Sequence, residues 1–164
     1  MAQAGAVGAV DADVKVHEQN PDVNFGSNAM LDASGQATKR EQTYFRVRVS
    51  GVGTRSVASA RLQLQVASAL NAGGDSGGHI HRISACGWNE LTMTWQTRPV
   101  IDGAVLSTAG PVQLNQVVTF DVTSAITGDG VYCFALDSAS INGVKYDSRE
   151  SVGQRPAVLL QVAP

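Results

Sequence analysis

Tyr44-Phe45-Arg46-Val47-Arg48-Val49 is the stretch on which the fold turns. Phe45, Val47 and Val49 alternate with Tyr44, Arg46 and Arg48. A period of two puts the first set on one face of a β-strand and the second on the other. The strand predicted here has one buried face and one wet face. The pattern recurs outward along the chain. Leu62, Leu64 and Val66 alternate with Arg61, Gln63 and Gln65; Val118, Phe120 and Val122 alternate with Thr119 and Asp121; Val158, Leu160 and Val162 close the sequence. Helical periodicity is almost absent.

Turn residues separate these runs: Asn20-Pro21, Gly51-Val52-Gly53, Asn71-Ala72-Gly73-Gly74, Thr127-Gly128-Asp129-Gly130 and Asn142-Gly143. They delimit strands near 12–17, 28–33, 42–49, 56–68, 78–84, 91–95, 101–107, 116–123, 131–137, 143–147 and 157–162. So many one-faced strands bury themselves best as two stacked sheets. The expected fold is therefore all-β: an antiparallel two-sheet β-sandwich, jelly-roll-like. It is expected to form one domain over 11–164, after a flexible segment at 1–10. In the last strand Leu159 joins Val158 and Leu160, so both faces are apolar. That places the strand centrally in its sheet or under the amino-terminal segment.

The 164 residues include 12 basic and 14 acidic ones, a net charge of -2, which lacks the basic excess of a nucleic-acid binder. No apolar run is long enough to span a membrane. Met1 to Val10 is apolar but lacks a basic start, so it does not read as a signal peptide. It is expected to be the remnant of a removed leader or preceding domain. Cys86 and Cys133 are either two buried thiols or one disulfide. An extracellular setting, argued next, favours the disulfide.

Several motifs occur in a fixed order. Asp13 precedes Asn20-Pro21-Asp22-Val23-Asn24-Phe25-Gly26. Then come Tyr44-Phe45-Arg46-Val47, Ser59-Ala60-Arg61-Leu62-Gln63-Leu64, and the most specific piece, Trp88-Asn89-Glu90-Leu91-Thr92-Met93-Thr94-Trp95-Gln96-Thr97-Arg98-Pro99. Asp121-Val122-Thr123-Ser124-Ala125, Asp147-Ser148-Arg149-Glu150 and Pro156 follow. Together, over about 13 to 162, the chain resembles the DNRLRE (disaggregatase-related) family of extracellular modules. Some members are carbohydrate-binding modules attached to alginate lyases and other polysaccharide enzymes. The resemblance implies a secreted or cell-surface module of a kind that some members carry linked to a catalytic domain. The family usually has Asp at the position of Arg48 and often an aromatic at that of Lys15. Both departures add positive charge, so the ligand preference is expected to differ.

The wet faces suggest a binding surface. Tyr44, Arg46 and Arg48 share one face of a strand, Gln63 and Gln65 another, and Lys145 lies on a late strand. If these strands share a sheet, they form a polar surface with one aromatic ring. Arg binds a uronate carboxylate through two parallel hydrogen bonds, which favours an acidic polysaccharide of alginate or pectin type. An ordinary solvated face is the alternative. Trp88 and Trp95 are read as core residues before sugar platforms, since modules with differing ligands share them. Arg149 and Glu150, beside Asp147, form an internal ion network that pins the last loop, or else contact the ligand. Asp121 is expected to pair with Arg46 or Arg61 across a sheet.

Calcium is a possible ligand through Asp13, Asp22, Asn24 and Asp147, all hard oxygen donors. No cofactor is required by the sequence. His79 and His81 project on one face, but two imidazoles are too few for zinc unless His17 joins them. No nucleophile elbow, phosphate loop or dinucleotide motif is present, and lone Glu90 does not make a glycosidase. The expected function is a non-catalytic carbohydrate-binding module that targets a partner enzyme to a polysaccharide. The alternative is a structural or adhesive module of a surface protein, sheath or filament, favoured by a weakly charged chain with 5% aromatic residues.

Overall fold

A computed structural model describes residues 5–164. Among these residues the chain forms ten strands: β1 (Val7–His17), β2 (Met30–Ala33), β3 (Glu41–Ser50), β4 (Val57–Gln65), β5 (Gly78–Ile83), β6 (Val105–Ala109), β7 (Val117–Asp121), β8 (Gly130–Asp137), β9 (Val144–Asp147) and β10 (Ala157–Val162). The described residues contain no α-helix, only a single 3-10 turn at Thr123–Ala125. All strand pairs are antiparallel, and the architecture is a β-sandwich.

One layer is a five-stranded sheet of order β1-β3-β8-β5-β6. The other layer is built from two pieces, a three-stranded sheet β10-β4-β7 and a pair β2-β9. A bridge between Val66 and Tyr146 joins the pieces, so three sheets make the two layers. The alternation of β3 and β4 works as expected here. Phe45, Val47 and Val49 from one layer meet Leu62, Leu64 and Phe120 from the other in the main core.

Four expectations need correction. The expected strand at 91–95 is a run of turns, in which Thr92 N–H and Met93 N–H donate to the Asn89 carbonyl. The strand expected at 101–107 forms at Val105–Ala109. β1 begins at Val7, so Val7 to Val10 are paired with β3 and not a flexible segment; residues 1–4 lie outside the described residues. β10 is at a sheet edge, not at its centre. β1 approaches the face that carries Val158, at Gly8, while Leu159 on the other face stays exposed. A Cβ there would lie 2.7 Å from Val158 Cγ1.

A second core lies on the outer side of the five-stranded sheet. The segment from Ser84 to Ala104 has no strand of its own. It lays Met93, Trp95 and part of Trp88 over Val14, Val16, Tyr44 and Ala135. The Cys86–Cys133 disulfide fastens this segment to β8.

Candidate binding surface and carboxylate cluster

The outer face of β3 carries Gln42, Tyr44, Arg46 and Arg48, and the covering segment decides what each can do. Tyr44 is fully buried. Its hydroxyl donates to the Pro99 carbonyl at 2.8 Å, and its ring meets Trp88 edge-on at 6.3 Å. Burial pushes its pKa far above the usual tyrosine value. Tyr44 is therefore no exposed stacking platform. The alternation placed it on the outer face correctly, but that face is covered here.

Beyond the cover the face opens. Arg46 Nε donates to Asp11 Oδ1 at 3.0 Å, and Nη1 donates to the Trp88 carbonyl at 2.9 Å. Its guanidinium lies 5.1 Å from the Trp88 ring centroid, a cation-π distance. Arg48 pairs with the other oxygen of Asp11 while 61% of its side chain stays exposed. One carboxylate thus sits between two guanidiniums, leaving a local excess of positive charge. Next to Arg46, Trp88, Asn89, Thr92 and Thr97 line a shallow pocket of about 230 Å³.

Asp11 was not legible as a site residue. The β1-β3 register shifts between Val10 and Ala12, which leaves Asp11 without a cross-strand partner. Ala9 faces Arg48 and Ala12 faces Arg46, so the bulge sets Asp11 beside both. A bulge leaves no mark in hydrophobic alternation.

The remaining expected ligand residues do not join this face. Gln63 and Gln65 are on β4, in the opposite layer. Lys145 is on β9, 3.4 Å from Asp32. Arg149 lies in the turn after β9, with Nη1 3.2 Å from Glu90. The assumption that the strands carrying these side chains share a sheet fails. Of the two extra cations, Lys15 is buried with Nζ 2.9 Å from Asp32. Only Arg48 adds charge to the surface. Asp121 faces Arg61 across the β4-β7 ladder, one of its two expected partners.

Of the four expected calcium donors, only Asp13 lies in a carboxylate cluster. Oxygens of Asp13, Glu90 and Glu150 lie within 4.8 Å of one another. Asp22 is exposed. The Asn24 amide donates to the carbonyls of Glu90 and Met93, both at 2.8 Å, and its oxygen accepts from Gly26 N–H. A Cβ on Gly26 would lie 1.9 Å from the Glu90 carbonyl oxygen. That contact explains why an Asn-aromatic-Gly motif accompanies a Trp-x-Glu motif. Asp147 pairs with Met30 at the end of β9 and is not in the cluster.

Around the cluster, Asp13 N–H donates to Glu90 Oε2 and Asp13 Oδ2 accepts from Arg149 N–H, each at 2.9 Å. Burial raises the Asp13 pKa to about 7, aided by the charges of Glu150 and Glu90 and opposed by Arg149. The histidines do not converge: His17 meets Asp32, His79 meets Thr108, and His81 meets Gly103 and Asp137. No described helix is long and apolar enough to cross a membrane.

Residues 7–162, nearly the whole chain, match the model of carbohydrate-binding module family 96. No curated protein matches the chain.

Proposed function

The chain belongs to carbohydrate-binding module family 96, and from that premise we propose that it is a non-catalytic, secreted module that holds an acidic polysaccharide of alginate or pectin type. The observation that carries the acidic preference is the Arg46-Asp11-Arg48 group beside the Trp88 pocket. Its two guanidiniums outnumber its one carboxylate, and Arg48 is largely open to solvent. A uronate carboxylate can accept two parallel hydrogen bonds from such a fork. Its hydroxyls can meet Asn89, Thr92 and Thr97 in the pocket. Asp11 already holds both guanidiniums, which lowers the ordering needed on binding. The likeness to DNRLRE modules supports the same reading, with the module delivering a linked catalytic domain to its substrate.

Calorimetry with oligouronates, compared with neutral xylo-oligosaccharides, tests this. Arg48→Ala and Arg46→Ala are expected to weaken oligouronate binding at least tenfold, which corresponds to about 1.4 kcal/mol. Arg48→Ala should leave stability nearly unchanged, because exposed ion pairs add only ~0–1 kcal/mol. Unchanged oligouronate affinity in both variants would rule out this face.

A further inference from the structure

We propose that Asp13, Glu90 and Glu150 bind one calcium ion that ties together β1, the tryptophan segment and the turn after β9. Three observations meet here. First, three carboxylate oxygens lie within 4.8 Å of one another. Oxygens at that separation can share a calcium ion with bonds of about 2.3–2.6 Å. Second, Asp13 is 1% exposed, and its Oδ1 is buried with no hydrogen-bond partner. A buried carboxylate oxygen left without a partner is costly, and a cation removes that cost. Third, the charges do not balance. Among the described residues, Arg149 is the one cation with a polar contact to the cluster, through Nη1 to Glu90 at 3.2 and 3.3 Å. Three carboxylates against one guanidinium leave a surplus of negative charge.

The donor set selects the ion. It contains oxygen only, with no imidazole or thiolate, which disfavours zinc and copper. Magnesium demands a tight octahedron and retains its waters, whereas calcium accepts irregular oxygen sets completed by water. Hydrogen bonds already fix the donors. Asp13 N–H holds Glu90 Oε2, Ser148 Oγ donates to Glu150 Oε2 at 3.1 Å, and Arg149 N–H holds Asp13 Oδ2. Each oxygen keeps a free lone pair for a metal. The three segments joined are far apart in sequence, so the ion would act as a clip under the tryptophan segment.

The test needs no glycan and therefore stands apart from the binding proposal. The full chain is stripped with chelator, and its thermal unfolding is followed at pH 7.5 with calcium chloride, magnesium chloride or neither. Calcium at 100-fold over its dissociation constant is expected to raise the midpoint by about 5 °C or more. Calorimetry with calcium chloride should show one site. Asp13→Asn and Glu150→Gln should each weaken calcium binding at least about tenfold. Glu150→Gln serves if Asp13→Asn does not fold, since among the described residues the Glu150 carboxylate accepts its hydrogen bond from Ser148 of its own turn, which the amide oxygen of Gln can also accept. No calcium shift in the stripped wild type would overturn the proposal. So would an undiminished shift in Glu150→Gln, or a magnesium shift equal to that of calcium.

Discussion

Asp32 is a fully buried carboxylate with three basic side chains around it. Lys15 Nζ and His17 Nε2 each lie 2.9 Å from Oδ2, and Lys145 Nζ lies 3.4 Å from Oδ1. Burial alone raises its pKa, but the His17 hydrogen bond and the Lys15 and Lys145 charges outweigh it and hold the pKa at about 2. A pKa below the unfolded value of ~3.9 stabilises the folded state above pH ~4, and that gain fades as pH falls toward 2. The gain is about 2–3 kcal/mol. At neutral pH, Asp32→Asn should cost ~3–5 kcal/mol, because Lys15 is then buried without its counter-charge. Urea unfolding from pH 5 to 2 should show the gap between wild type and Asp32→Asn narrowing with acid. A gap independent of pH would contradict the assignment. Lys15 read from sequence as an added positive charge that alters ligand preference. The strand pattern did not show that β2 and β9 bring Asp32 and Lys145 onto it.

At the scale of elements, the segment from Ser84 to Ala104 holds its place with no strand hydrogen bonding. Its attachment rests on the Cys86–Cys133 disulfide, on Met93 and Trp95 in the second core, and on Arg98, whose Nε donates to Gln42 Oε1 at 3.2 Å. The disulfide closes a separation of 47 residues. Its removal in Cys86→Ala/Cys133→Ala should cost ~2–4 kcal/mol. Hydrogen exchange should quicken first within 84–104, before the five-stranded sheet loosens. Uniform quickening across β3 and β8 would show that the segment is not a separate unit. The strands β3, β4, β7 and β10 were legible because their alternation is dictated by a local pleat. The 91–95 segment mimicked a strand because Met93 and Trp95, two apart, both point into a core. Alternation reports burial, not hydrogen bonding, so the sequence alone could not separate the two.

Over the whole molecule, the two-layer fold was readable and the arrangement of its surfaces was not. Sheet membership depends on long-range pairing, which puts β3 beside β1 and β8 but moves β4 to the other layer. Gln63, Gln65 and Lys145 therefore left the surface expected of them, while Asp11 and the Trp88 pocket joined Arg46 and Arg48. A net charge of -2 also means that affinity for a polyanion must come from a local patch. The central claim is that this patch holds an acidic glycan. Affinity electrophoresis of the full chain through gels carrying alginate, pectin, xylan or no glycan tests it most directly. The account predicts retardation by alginate or pectin that weakens with salt and is lost in Arg46→Ala/Arg48→Ala. Equal mobility in every gel would contradict it and favour a structural or adhesive module.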